Sequence, residues 1–330
     1  IMIGVVMNHL SSPSVTVILP ILNEEADLQN CISAILKQDY AGEIEIILAL
    51  GPSKDNTNQI ARDLAAADKR IKLVNNPTGQ TAKGLNLAIA QSSFEIICRI
   101  DGHSEISNSY LKTAVSIMQE KGAVNVGGLM YADGQSGLQR TIAQAMRSKL
   151  GVGASKFHTG GTAGPSDTVY LGTFKKSAIL AAGGFDERYI RAQDWELNHR
   201  MRAQGGLIWF DPRLVVTYRP RKSLTKLAKQ YFQYGRWRRV ISRQHPKTTN
   251  FRYLAPPVAL VINLLSVLFG VLVTEAFFLP VLIYMTLIII GGAIIGKKFA
   301  DKLLMPIVFA TMHLSWGAGF ITSPKKLFKN

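Results

Sequence analysis

The chain is poor in cysteine, one long stretch of it holds no acid, and another holds almost no charge. Among 330 residues only Cys31 and Cys98 carry thiols. Two thiols inside apolar segments make no disulfide framework and suit a reducing compartment. No glycine-rich dinucleotide turn follows the first apolar run, Val15–Leu19, which leads instead into Pro20-Ile21-Leu22-Asn23-Glu24-Glu25. No Walker A sequence occurs either, so both common glycine-loop ways of holding phosphate are excluded. Ile1–Val6 is too short for the core of a secretory signal and follows no basic residue, so the polar part of the chain is expected to stay in the cytoplasm.

Charge is unevenly spread. Residues 1–211 hold 20 basic and 20 acidic side chains, residues 212–253 hold 12 basic and no acidic ones, and residues 254–330 hold six and two. From 254 to 296, 43 residues, Glu275 is the single charge. That is room for two membrane-spanning helices of about 20 residues each, expected at 254–274 and 276–296. A third, weaker candidate is 303–322, diluted by Thr311, His313, Ser315 and several glycines. A basic block directly before the first span fits a cytoplasmic flank against anionic lipid. Nucleic acid is the competing partner for such a block. The neighbouring hydrophobic segments favour membrane lipids or an anionic lipid-linked substrate, and no nucleic-acid partner is expected.

The first two thirds alternate strand and helix. Strands are expected at 15–19, 43–50, 71–74 and 94–100, with helices at 24–37, 55–67 and 81–91. This alternation specifies a mostly parallel sheet with helices on both faces. Such sheets bind ligands outside the carboxyl ends of their strands. The loops at that edge are 20–25, 51–57, 75–84 and 101–105, all polar or bearing Gly or Pro. A loop rich in Gly, Ser and Thr spans 151–168 and is long enough to serve as a lid; His158 within it reads as solvated. An amphipathic helix is expected at 192–205, two short strands at 207–210 and 213–218, and a basic helix from Ser223 to about Arg243.

The stretch Cys98-Arg99-Ile100-Asp101-Gly102-His103 places a carboxylate and an imidazole two residues apart where a strand ends. A solvated turn is the plain alternative. With the glycine-loop modes excluded, a divalent cation, Mn²⁺ or Mg²⁺, held by Asp101 and His103 is the natural way to handle phosphate. Asn23 and Glu24, read in isolation, also suit a helix N-terminus. Asp194 could cap its helix or pair with Arg191 or Arg200.

Five elements in order, Pro20-x-x-Asn23-Glu24, Asp55, Asp101-x-His103, Gln193-Asp194 and Gln233-x-x-Arg236-Trp237, resemble the family 2 glycosyltransferases of GT-A fold. The likeness is strongest to membrane-attached members of bacterial exopolysaccharide synthesis, of the succinoglycan type, and covers about residues 15–240. It implies sugar transfer from a nucleotide-diphosphate donor with inversion at the anomeric carbon. It also implies that Pro20, Asn23, Glu24, Asp55 and Asp101 line the nucleotide pocket, and that Asp101 and His103 form the metal motif. Asp194 would be the catalytic base, with Gln233, Arg236 and Trp237 near acceptor and diphosphate. Three positions depart from the family pattern: Leu50 stands where an Asp is usual, Gln193 replaces Glu, and His103 replaces Asp.

The expected organisation is an N-terminal extension (1–14), a GT-A catalytic domain (15–220), a basic amphipathic juxtamembrane helix (221–253) and a membrane region (254–330) with two to three spans. The expected protein is a multi-pass cell-membrane enzyme of the hexosyltransferase type whose catalytic domain is cytoplasmic and whose acceptor is lipid-linked or a polysaccharide. A non-catalytic polysaccharide-synthesis scaffold and a sugar-phosphate nucleotidyltransferase are the rivals. The latter needs a glycine-rich loop after the first strand, which is missing.

Overall fold

The structure is a computed structural model that describes residues 12–328. Most of the expected 1–14 extension thus lies outside the described residues. The chain begins β1 (Val15–Ile21), α1 (Leu28–Leu36), β2 (Ile44–Leu50), α2 (Thr57–Ala67), β3 (Ile71–Asn75), α3 (Thr81–Gln91), β4 (Ile96–Arg99). It continues through β5 (Glu105–Ile106), α4 (Tyr110–Lys121), β6 (Asn125–Ala132), α5 (Gly137–Met146), α6 (Lys149–Val152), α7 (Lys156–Thr159) and β7 (Gly164–Pro165). Then come β8 (Tyr170–Lys175), α8 (Lys176–Ala181), α9 (Gln193–Ala203), β9 (Ile208–Tyr218) and α10 (Leu224–Gln244). Three apolar helices finish it: α11 (Phe251–Leu272), α12 (Leu279–Ile295) and α13 (Phe299–Ile321).

Two compact units emerge. Among the described residues the first holds 12–127, 171–184 and 201–209; the second holds 128–170, 185–200 and 210–328.

In the first unit β3, β2, β1 and β4 lie side by side in parallel, and β8 pairs antiparallel with β4. The sheet is therefore mixed, as in the GT-A fold. Val17, Ile18, Leu19, Ile46, Ile47, Leu48, Ile97 and Cys98 are fully buried. Their unbroken apolar runs are what strands covered on both faces require. A charge within β2 breaks this pattern. Glu45, on β2 opposite Thr16, is buried and accepts hydrogen bonds from the Thr16 hydroxyl (2.6 Å), the Ser93 N–H (2.9 Å) and hydroxyl (2.8 Å), and the Lys72 ammonium. Burial opposes its charge, but these donors outweigh it and hold the pKa at about 2.

In the second unit α5, α10, α12 and α13 share one core built from Ile142, Met146, Leu227, Tyr231, Ile288, Met305, Phe309 and Met312. Helices α11, α12 and α13 are each long and apolar enough to cross a membrane, with mean hydropathies of 2.2, 2.5 and 1.4; the second of these stretches includes the short turn of helix before α12. The 151–168 loop contains α6, α7 and β7, and 207–218 forms one strand rather than two. His158 in that loop is half-buried against the Phe157 ring (4.3 Å), not solvated, and burial pushes its pKa down to about 3.

Candidate functional site

The carboxyl edge of the parallel strands is one knitted rim. Pro20 and Ile21 end β1, and Asn23 follows in the left-handed region at φ 57°. Asparagine tolerates that region better than most side chains. The Asn23 N–H donates to the Ser53 hydroxyl (3.0 Å) and the Lys54 N–H donates to Asn23 Oδ1 (2.8 Å). The Glu24 N–H donates to the Thr57 hydroxyl (2.7 Å), and the Glu25 N–H to Asp55 Oδ2 (3.3 Å). Asp55 Oδ1 accepts from the Thr57 N–H at 3.1 Å, just before α2. Hydrogen bonds led by that of the Thr57 hydroxyl hold the Asp55 pKa below the usual range. Asn23, Glu24 and Asp55 are thus brought together, and much of their hydrogen bonding ties the first loop to the second. This is why α1 starts at Leu28 rather than at 24: the acids before it serve another loop.

Asp101 and His103 join the same edge. The Arg99 guanidinium donates to Asp101 Oδ1 from Nε (3.1 Å) and Nη2 (3.0 Å). His103 Nδ1–H donates to Glu24 Oε1 at 2.9 Å. That bond, with the Glu24 charge, raises the His103 pKa above its ordinary value although burial pulls the other way. It also fixes the tautomer, with the proton on Nδ1 and the lone pair on Nε2. Gly102 permits the contact, because a Cβ there would meet Ile21 Cδ1 at 2.9 Å and Glu24 Cγ at 3.0 Å.

These groups fit a divalent cation. Metal-binding imidazoles commonly donate their other ring N–H to a carboxylate, and Glu24 supplies that partner here. Among the described residues no three His, Cys, Asp or Glu side chains cluster as a ligand set. The fit is therefore to a cation that would take one carboxylate and one imidazole from the protein and its other ligands from diphosphate and water. Sequence reasoning placed Glu24 in the nucleotide pocket and missed its bond to His103. The departure of His103 from an acidic residue was the signal, since an imidazole ligand needs an orienting acceptor.

The other expected residues lie in the second unit. Asp194 is half-buried in the first turn of α9, directly after Ala192, whose φ is 63°. The positive end of a helix favours an ionised carboxylate there. Next to it, Trp195 stacks on His199 (5.3 Å between centroids) and lies 4.6 Å from the Arg238 guanidinium. Arg238 is buried, sits 3.4 Å over the Tyr253 ring and donates to the Thr248 carbonyl at 3.0 Å. Burial pulls its pKa down to about 10, so it remains charged at neutral pH. Glu196, buried, pairs with Arg200 at 2.6 Å.

On α10, Gln233 and Arg236 are half-buried, and the Arg236 Nε makes no hydrogen bond among the described residues. Trp237 is buried in a cluster with Tyr189, Val240 and Ile241, against which Leu327 and Phe328 pack. Its ring anchors α10 to the segment preceding α9 and to the chain's last described residues.

The profile described as Glycosyl transferase family 2 matches residues 16–179. That range holds Pro20, Asn23, Glu24, Asp55, Asp101 and His103. The succinoglycan biosynthesis protein ExoA of Rhizobium meliloti is 29% identical over 320 residues, covering 95% of this chain and 96% of its own. A dolichyl N-acetyl-alpha-D-glucosaminyl phosphate 3-beta-D-2,3-diacetamido-2,3-dideoxy-beta-D-glucuronosyltransferase of Methanococcus voltae is 25% identical, covering 93% and 95%. Among solved structures, the mannosyltransferase PcManGT of Pyrobaculum calidifontis, in complex with GDP-Man and Mn²⁺, superposes with a TM-score of 0.62. At 16% identity the match covers 95% of this chain and 88% of that one, a likeness of fold.

Proposed function

The chain carries a family 2 glycosyltransferase domain and is a glycosyltransferase, and on that premise we propose that it moves a sugar from a nucleotide-diphosphate donor to a lipid-linked or polysaccharide acceptor, with inversion, at the cytoplasmic face of the cell membrane. The observation that supports the reading is the His103–Glu24 bond at the rim, because it leaves Nε2 as the nitrogen able to ligate, two residues along the chain from Asp101. The succinoglycan and dolichyl names of the two relatives support the acceptor classes.

Asn23, Glu24 and Asp55 shape the nucleotide side of the rim, with Pro20 at its base. Asp101 and His103 would hold Mn²⁺ or Mg²⁺, which would neutralise charge on the diphosphate. Asp194 accepts the proton of the acceptor hydroxyl as that oxygen bonds to the anomeric carbon. The bond from that carbon to the diphosphate oxygen breaks, and the electron pair leaves with the nucleotide diphosphate. Arg236, half-buried on α10, stabilises the departing charge with its guanidinium. Gln233 adds a polar contact to the acceptor side, and Trp237 holds the α10 backbone that presents Arg236.

Substitution of Asp194 by Asn tests the central assignment. An amide keeps the shape but cannot take the proton at neutral pH. Asp194→Asn is expected to retain folding and donor binding while transfer falls by roughly two to four orders of magnitude. As a mere helix cap Asn would serve almost as well as Asp. Nucleotide diphosphate release, measured with donor, metal and a membrane extract as acceptor, reads the difference; a rate near that of the unaltered enzyme overturns the base assignment. Absence of release from the unaltered enzyme across a donor screen would instead favour a scaffold.

A further inference from the structure

Hydropathy offers three spans, but the packing inside the second unit treats the third differently. The hairpin of α11 and α12 closes at its far end, where the Ser266 hydroxyl donates to the Phe277 carbonyl (2.6 Å) and Gly270 faces Phe278. Its open end holds the start of α11 and the finish of α12. Gly292, three residues before α12 ends, faces Met305 and Pro306 of α13. Gly317, twelve residues further along α13, faces the Pro256 carbonyl and Leu260, early in α11. Twelve helical residues cover about 18 Å. A helix descending beside the hairpin would place Gly317 far towards the closed end; both contacts instead fall at the open end. Helix α13 lies across the mouth of the hairpin.

Both ends of α13 are tied to polar helices. Near its start, Asp301 is buried and accepts from the Thr141 hydroxyl and from Gln144 Nε2, each at 2.9 Å, so it is pinned to α5. Past its end, the Ser323 hydroxyl donates to the Arg236 carbonyl (3.0 Å), and Arg243 Nη2 donates to the Ser323 carbonyl (2.8 Å), so it is pinned to α10. Between these ties the two helices touch backbone to backbone. A Cβ on Gly235 would stand 2.0 Å from the Trp316 carbonyl oxygen, and one on Gly319 would stand 2.0 Å from that of Phe232. Helix α10 carries Lys226, Lys229, Arg236, Arg238, Arg239 and Arg243. Drawing it across hydrocarbon alongside α13 would cost several kcal/mol for each such charge at the bilayer centre.

We infer that α13 does not cross the membrane but lies in its face as an in-plane helix. Its exposed stripe Phe299, Leu303 and Ile307 is covered by lipid, and its two ends stay on the side of the membrane that holds α10. The stripe recurs every fourth residue, and exposed Ile294 at the end of α12 extends it. Lys297, Lys298 and Lys302 at one end and Lys325 and Lys326 at the other suit anionic headgroups. Only α11 and α12 then cross. This placement is independent of the transfer chemistry.

Single cysteines at three exposed positions test it: Lys226→Cys in α10, Glu275→Cys at the closed end of the hairpin, and Lys326→Cys after α13. The native Cys31 and Cys98 are buried and silent to the reagent. In sealed vesicles treated with a membrane-impermeant maleimide, Lys326→Cys is expected to label, or lose labelling, together with Lys226→Cys and opposite to Glu275→Cys. Labelling of Lys326→Cys with the Glu275→Cys set, or its protection from both sides until detergent is added, overturns the inference.

Discussion

Replacing Glu24 by Ala isolates the role of the His103 partner. The substitution removes the acceptor 2.9 Å from Nδ1 but leaves the backbone bond from the Glu24 N–H to Thr57, so the loop itself stays knitted. His103 then loses the group that sets its tautomer and ring plane. Partners of this kind typically contribute 10- to 100-fold in metal affinity or activity, equivalent to about 1.4–2.7 kcal/mol. Titrating Mn²⁺ or Mg²⁺ into a transfer assay at saturating donor is expected to show half-maximal activity at a 10- to 100-fold higher metal concentration. Glu24→Gln, which keeps a neutral acceptor, is expected to fall between Ala and the unaltered enzyme. A metal dependence unchanged in Glu24→Ala refutes the argument that Glu24 orients a ligand. Activity unaffected by a chelator in the unaltered enzyme would remove the cation itself.

Further tests address the scaffold. The Glu45 pKa of about 2, against an ordinary 4.5, corresponds to about 3 kcal/mol of stability. That stability is fully present above pH 4.5 and is lost as pH falls towards 2; Glu45→Gln is expected to destabilise the protein at pH 7 and to flatten the loss of thermal stability between pH 4.5 and 2, with an unchanged acid limb counting against the account. Gly235→Ala forces a methyl group onto the Trp316 carbonyl and is expected to lower stability in detergent by about 1–3 kcal/mol or more. An unperturbed melting temperature for that variant would mean that α10 and α13 are not in backbone contact.

What could be read in advance depended on range. The alternation of apolar runs at 15–19, 43–50, 71–74 and 94–100 reports the sheet because each strand's burial is written into its own residues. The apolar helices expected at 254–274 and 276–296 are legible for the same reason. Contacts between distant residues are not. Asn23 and Glu24 look like helix-start residues, yet their hydrogen bonds run to Ser53 and Thr57. Glu45 looks like the polar face of a strand until Lys72, Thr16 and Ser93 converge on it. A break was expected at Asp211-Pro212, but Asp211 Oδ1 accepts from the Arg213 N–H (3.0 Å) and the strand runs through. Helix α13 is long and apolar enough for a span, though less so than α11 and α12, and hydropathy cannot register that its neighbour α10 is a helix rich in arginine. At the rim, residue types and order drew attention to Asp101 and His103, whereas the hydrogen bond between His103 and Glu24 spans 79 residues and carries no local signature.

The knitting of the first two loops bears on how a donor is received. Asn23, Glu24 and Glu25 are joined to Ser53, Lys54, Asp55, Asn56 and Thr57 by bonds formed during folding. A loop left to order itself on binding subtracts from affinity roughly 0.5–1.5 kcal/mol for every rotamer-rich side chain it immobilises. Here that ordering precedes the encounter. On the proposed function, a nucleotide would meet a rim already in shape, its affinity reflecting the contacts it makes rather than the loops it must arrange, and discharged nucleotide would leave without the rim having to unravel.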